Sequence, residues 1–140
     1  MRVSLPSRKL KMIKGIGTDL LEKKRVEKSI SKFGDKFIKK VLTEKEQKEY
    51  QAKKTYEKKV SFLSNNFACK EAVSKALGTG FSEGITLKNI EVLRESGGNP
   101  CLQLKGKAKE KALECGFEKF TLSISDTKGH SLALVIGEDK

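Results

Sequence analysis

Phe67-Ala68-Cys69-Lys70-Glu71-Ala72-Val73-Ser74-Lys75-Ala76-Leu77-Gly78-Thr79-Gly80 is the stretch from which the rest of the chain can be read. At a helical period Cys69, Ala72, Val73, Ala76 and Leu77 fall on one stripe and are expected to face a core. Lys70, Glu71, Ser74 and Lys75 fall on the other side, so a carboxylate, a hydroxyl and two ammonium groups share one face. Gly78 ends the pattern where a left-handed C-cap is expected, and Gly80 leaves room for a ligand to approach the backbone. Phe67 lies off the stripe. The polar face has two readings. Glu71 and Lys75 form an i,i+4 pair in the favourable order, a contribution of a few tenths of a kcal/mol on any solvated helix. Beside a second carboxylate the same groups suit a metal and phosphate site.

Working outward gives the fold class. Upstream, the helical period extends back to about Val60, and Thr43-Glu44-Lys45-Glu46 is a capping-box sequence that starts a helix running to about Lys53. Val26, Ile30, Phe33, Phe37 and Val41 recur at three- and four-residue steps interrupted by Gly34-Asp35, which predicts two short helices or one broken one. Met12 to Leu20 reads as a strand in which Gly17 leaves room for close approach to the backbone. Asp19 lies at its end, where it also suits the N-terminus of a helix. Downstream the period changes to two. Ile90-Glu91-Val92 and Cys101-Leu102-Gln103-Leu104 alternate as strands around Ser96-Gly97-Gly98-Asn99-Pro100. Lys107 to Cys115 is helical with Gly116 as its stop, and 121–124 and 132–136 form a second strand pair around Lys128-Gly129. The class is α+β, helices packed on an antiparallel sheet in a single small domain.

Composition narrows the function. A chain of 140 residues buries one core and is too short for two ordinary domains. No apolar run is long enough for a transmembrane helix. Residues 1–11 carry Arg2, Arg8, Lys9 and Lys11, lack the apolar segment of a secretory signal and precede Met12. They are expected to be a basic extension outside the fold, with 12–140 as the domain. Cys69, Cys101 and Cys115 are odd in number and widely spaced, as expected for reduced thiols in a cytoplasmic protein. With His130 the sole histidine and no Cys-x-x-Cys, a zinc site is not expected. A metal here would be a hard cation such as Mg2+ on carboxylate and substrate oxygens. The net charge is +12, and between Lys23 and Lys59 fourteen Lys/Arg face six acids. That excess suits an anionic partner, or a solvated surface that only keeps the protein soluble.

The available chemistry is limited. There is no Gly-x-Ser-x-Gly elbow and only one histidine for nucleophilic catalysis. There is no phosphate loop, and Gly15-Ile16-Gly17 lacks the third glycine of a dinucleotide fingerprint. Asp19, Glu71, Lys75 and the glycine-rich helix exit remain. They suit a magnesium–pyrophosphate site, because breaking a diphosphate requires charge neutralisation on its oxygens and alignment of the attacking hydroxyl. The amides of Gly78 to Gly80 offer further contacts to phosphate oxygens.

The run from Phe67 to Gly80 resembles the signature of holo-acyl-carrier-protein synthases, which are phosphopantetheinyl transferases: an aromatic residue, Lys-Glu-Ala, Lys-Ala, then Gly-Thr-Gly. Gly15 to Leu20 resembles the family's N-terminal Gly-x-Asp segment. Gly98-Asn99-Pro100 and Ser123 to Thr127 resemble its C-terminal half, so the resemblance spans about Ile13 to Ile136. It implies the phosphopantetheinyl transferase fold and transfer of 4'-phosphopantetheine from coenzyme A to a serine of apo acyl carrier protein, with release of adenosine 3',5'-bisphosphate, in fatty acid biosynthesis. It implies Asp19 and Glu71 as magnesium ligands, Lys75 beside them in catalysis, and a water on the metal as acceptor of the serine proton. Ser74, Lys75, Gly78, Thr79, Gly80 and Pro100 match positions lining the coenzyme A site. Asp126 and Thr127 belong to the same set, and Lys58 and Lys59 are candidates for the 3'-phosphate.

Arg25 matches a docking arginine for the acidic carrier, and Lys28, Lys32 and Lys36 extend its charge. A homotrimer with active sites between subunits is implied as well. Asp126 stands where many members have histidine and Asn66 where arginine is common. Two cationic contacts to the nucleotide are therefore expected to be missing or, at Asp126, replaced by a hydrogen bond. The alternatives are a small basic nucleic-acid-binding domain and a carrier-docking module without catalysis. Few aromatics at core spacing and no tryptophan disfavour the first. With the resemblance, neither a nucleic acid nor a membrane is an expected partner.

Overall fold

The computed structural model describes residues 12–139; the basic extension expected at 1–11 lies outside the described residues. The elements run β1 (Ile13–Glu22), α1 (Lys23–Phe33), α2 (Asp35–Val41), α3 (Glu44–Ala52), α4 (Tyr56–Ala76), a 3-10 turn at Leu87–Asn89, β2 (Ile90–Arg94), β3 (Pro100–Leu104), α5 (Gly106–Glu114), β4 (Lys119–Asp126) and β5 (His130–Glu138). β5 pairs with β4 and, on its other side, with β1 from the opposite end of the chain, giving an antiparallel sheet of order β1-β5-β4. β2 and β3 form a separate antiparallel hairpin. The expected class, helices on an antiparallel sheet, is the one found; the long-range pairing of β1 is what local patterns did not carry.

α4 is the central element. It begins four residues before the periodic stretch because Thr55 caps it, the threonine hydroxyl accepting from the Lys58 amide at 3.1 Å. Ala68, Cys69, Ala72 and Val73 are fully buried, and the helix lies against β1 and β5. β1 reaches α4 because of two glycines. A Cβ on Gly17 would come within 1.8 Å of the Ala72 carbonyl oxygen, and one on Gly15 within 2.2 Å of that of Ala76. What approaches the backbone at Gly17 is the helix itself. The two short helices are α1 and α2, parted at Gly34, whose φ of +57° suits glycine. The Thr43 capping box forms at α3, with Glu46 Oε1 accepting from the Thr43 amide at 2.8 Å.

The polar face expected on α4 is corrected at two positions. Lys70 is fully buried, and its Nζ donates to Val41 O at 2.6 Å, Glu46 Oε1 at 2.6 Å and Leu87 O at 3.1 Å. Glu46 Oε2 also accepts from Asn66 Nδ2 at 2.9 Å and the Val92 amide at 3.1 Å. Each ammonium proton and each carboxylate oxygen is occupied, the condition under which a buried ion pair persists. Burial pushes the Lys70 pKa down while Glu46 pulls it back up. Ser74 is buried as well, its Oγ donating to the Glu71 carbonyl at 2.7 Å. The physical reason is that α4 has the sheet on one side and α2, α3 and β2 on another, so more than one stripe is covered.

Candidate active site

Asp19 lies two residues beyond Gly17 on β1, and Glu71 precedes Ala72 on α4. The close packing at Gly17 therefore brings both carboxylates to one cleft of about 340 Å³, walled by Arg25, Val26, Phe37 and Phe67. Phe67, which periodicity left without a role, stacks on Phe37 with ring centroids 6.2 Å apart. Lys75 follows Glu71 by one turn and reaches Asp19: its Nζ lies 3.2 Å from Asp19 Oδ1 and 3.0 Å from Thr18 O. Asp19 is not a helix cap, since α1 starts at Lys23 after Glu22.

Burial, and after it the negative charge of Asp19, hold the Glu71 carboxyl above its usual range, with Lys75 acting in the opposite direction. A divalent cation between the two carboxylates would convert that repulsion into attraction. Among the described residues no cluster of three or more Asp, Glu, His or Cys forms a metal cage. A bound ion would have two protein carboxylates and draw its remaining oxygens from water and substrate, a donor set suited to Mg2+.

The other candidates divide. The amides expected to hold phosphate oxygens are already engaged, which corrects that reading: Gly78 N donates to Lys75 O at 3.0 Å, and Thr79 N and Gly80 N donate to Ser74 O at 3.3 and 3.2 Å. They cap the C-terminus of α4, with Gly78 and Gly80 at positive φ. The buried hydroxyl of Ser74 likewise faces the helix backbone and not the cleft. Pro100 opens β3 opposite Arg94. Asp126 pairs with Lys23 Nζ at 2.8 Å, and the Thr127 carbonyl accepts from the same ammonium at 2.7 Å. The Thr127 hydroxyl accepts from the Gly129 and His130 amides in the β4–β5 turn.

Lys58 and Lys59 point apart. Lys58 lines a small cleft with Lys53 and Arg94, whereas the Lys59 ammonium lies 5.6 Å from the centroid of the Tyr50 ring. Arg25 stands on the wall of the carboxylate cleft, and Lys28, Lys32 and Lys36 are exposed along α1 and α2, so the basic ridge begins at that cleft. Asn66 is fully buried and accepts from Arg94 Nη2 at 2.8 Å. Arg94, Lys53 and Lys23 carried no signal in the sequence, because each gains its neighbours through contacts far apart along the chain.

Comparison with known proteins identifies the family. Residues 15–135 match the 4'-phosphopantetheinyl transferase superfamily. The chain is 41% identical over 127 residues to a holo-[acyl-carrier-protein] synthase of Vibrio cholerae, covering 91% of this chain and 98% of the relative. It is similar in structure to a holo-ACP-synthase from Plasmodium yoelii, with a TM-score of 0.83 and 36% identity over 94% of this chain and 99% of that one. A second structural relative is a holo-(acyl-carrier-protein) synthase from Bacillus anthracis in complex with CoA (3',5'-ADP), with a TM-score of 0.77 and 34% identity over 92% of this chain and 99% of that one. The chain, with Asp19 and Glu71 at one cleft and its length matched almost end to end, belongs to the 4'-phosphopantetheinyl transferase superfamily, among the holo-[acyl-carrier-protein] synthases.

Proposed function

We propose that this chain transfers 4'-phosphopantetheine from coenzyme A to a serine of apo acyl carrier protein, releasing adenosine 3',5'-bisphosphate, with Mg2+ held by Asp19 and Glu71. The observation that carries the reading is the meeting of those two carboxylates, from β1 and α4, beside Lys75. When bound, the cation neutralises charge on the diphosphate. Asp19 and Glu71 orient it, and Lys75, held by Asp19 yet half exposed, places an ammonium beside the leaving nucleotide. Phe37 and Phe67 close one wall of the cleft to water. Nothing in the fold favours the nucleic-acid alternative.

Arg25, Lys28, Lys32 and Lys36 form the docking surface for the acidic carrier, a contact that speeds encounter and weakens with salt. The outward face of the three-stranded sheet is the natural subunit interface of a homotrimer. Ile16 and Leu20 are 61% and 68% exposed there, next to Leu132 and Leu134 on β5. Among the described residues no helix is long and apolar enough to cross a membrane, and no disulfide links the three cysteines. A cytoplasmic place of action fits these features. The test is intact-mass measurement of an apo carrier protein incubated with the chain, Mg2+ and coenzyme A. A gain of one phosphopantetheine, lost in Asp19→Ala and Glu71→Ala, is expected; a folded chain that leaves the carrier unchanged with every divalent metal overturns the reading.

A further inference from the structure

The first turn of α1 is poorly held by its own stretch of chain. Glu22 at the N-cap makes no side-chain cap, and Lys23, Lys24 and Arg25 put three cations where a helix dipole favours anions. What holds this turn comes from elsewhere in the fold. The Lys23 amide donates to the Gly129 carbonyl at 2.9 Å. Lys23 is only 6% exposed, and its ammonium donates to Asp126 Oδ2 at 2.8 Å, Thr127 O at 2.7 Å and Ser61 Oγ at 3.0 Å, which occupies all three protons. Asp126 Oδ2 also accepts from Asn65 Nδ2 at 3.4 Å, and Asn65 Oδ1 accepts from Ser131 Oγ at 2.6 Å. The start of α1 is thereby tied to α4, to the end of β4 and to β5.

Residues two apart on a helix of 3.6 residues per turn project about 200° from each other, so fixing Lys23 on the β4–β5 turn aims Arg25 at the opposite side. That side is the carboxylate cleft, whose wall Arg25 shares with Asp19. We infer that Lys23 is a positioning residue for carrier recognition: clamped by Asp126, Thr127 and Ser61, it sets the first turn of α1 and with it the place where Arg25 meets an acidic carrier. This rests on the transferase reading above, in which Arg25 docks the carrier. Lys23 itself is buried and neutralised by Asp126, so it acts through Arg25 and not by attracting the carrier directly. The clamp also gives the Asp126 carboxylate a task other than the coenzyme contact expected of it, since Oδ2 holds the Lys23 ammonium and the Asn65 side-chain amide.

The experiment measures, by calorimetry, the affinity of the full chain for an apo acyl carrier protein whose target serine is replaced by alanine. Asp126→Asn separates the clamp from bulk electrostatics because the two act with opposite sign, and a side chain 38% exposed is the milder site to alter. Removing a negative charge makes the chain more positive, which by long-range attraction alone tightens binding of an acidic partner. A loosened clamp weakens it, by about threefold or more. Lys23→Met is expected to weaken it likewise, and to have no further effect in the Arg25→Ala background, since it acts through that arginine. Tighter or unchanged binding in Asp126→Asn, or an equal loss from Lys23→Met with and without Arg25, overturns the assignment. So does a raised KM for coenzyme A in Asp126→Asn with carrier affinity intact. Hydrogen exchange along α1 reads the clamp without a carrier: faster exchange in Asp126→Asn is expected, and unchanged exchange overturns it. A chain that modifies no carrier refutes the transferase reading and leaves both of these readouts in force.

Discussion

Gly17→Ala puts the packing that creates the carboxylate pair to the test. The added Cβ would sit 1.8 Å from the Ala72 carbonyl oxygen, and ordinary contact begins at 3.4 Å, so β1 and α4 must separate by about 1.6 Å at that point. The obstacle is helix backbone, which cannot rotate aside as a side chain would. Forced overpacking of this kind destabilises by about 1–3 kcal/mol, occasionally more, against a typical domain stability of about 5–15 kcal/mol. The variant is therefore expected to fold, with a lower urea midpoint. Its activity should suffer more than its stability, because Asp19 is two residues along the same strand. A misplacement of about 1 Å at reacting groups lowers rates by about 10²-fold. Urea denaturation followed by circular dichroism, and carrier-mass assays across a Mg2+ titration, give the two readings. Gly129→Ala is the control, since a Cβ there meets nothing within 4 Å. Wild-type midpoint and wild-type rate in Gly17→Ala would refute the claim that close strand–helix contact sets the site.

Lys70→Met leaves Glu46 buried without its cation and is expected to cost about 3–5 kcal/mol in chemical denaturation; Lys75→Met, at a half-exposed pair, is expected to cost less than about 1 kcal/mol while slowing transfer. Because burial and Asp19 raise the Glu71 carboxyl, the folded chain holds that proton more tightly than the unfolded one, so stability falls as pH rises through the window just above the ordinary glutamate range. Glu71→Gln should then raise the melting temperature of the metal-free chain slightly at neutral pH, lose that advantage below the window, and abolish transfer. Leu20→Asp, on the outward sheet face, is expected to dissociate the proposed trimer in analytical ultracentrifugation with the secondary structure intact. Raising ionic strength should lower kcat/KM for the carrier, and less steeply in Lys28→Ala or Lys32→Ala.

What the sequence carried, and what it did not, follows the range of the interactions. Local period placed Cys69, Ala72, Val73, Ala76 and Leu77 on a buried face, and all five are buried. Local chemistry placed the Thr43 capping box and the break at Gly34. The same reasoning set Lys70 among solvated residues, because a lysine in isolation argues for exposure and only Glu46, 24 positions away, makes its burial tolerable. It offered the amides of 78–80 to a ligand because a glycine run looks open, although the end of a helix claims those donors first. The resemblance marked Asn66 as standing where arginine is common, and no periodic rule links that position to Arg94, 28 residues later, whose guanidinium donates to it. Elimination of other chemistries left Asp19 and Glu71 as candidates and family likeness sharpened their roles, but their convergence was not legible, since the meeting of β1 with α4 depends on a strand partner 114 positions beyond Asp19.

That partner has a consequence for how the molecule comes into being. Asp19 sits opposite Ala133, and Met12 and Asp139 clasp each other through paired backbone and side-chain bonds. A nascent chain therefore makes its helices early but cannot seat its leading strand until the last one has left the ribosome. Truncated products, however well coiled, would hold one acid of the pair adrift, so half-made copies would lack the metal site proposed above. The two described ends lie side by side at the finish, which makes this fold a good candidate for joining them and cutting the circle elsewhere.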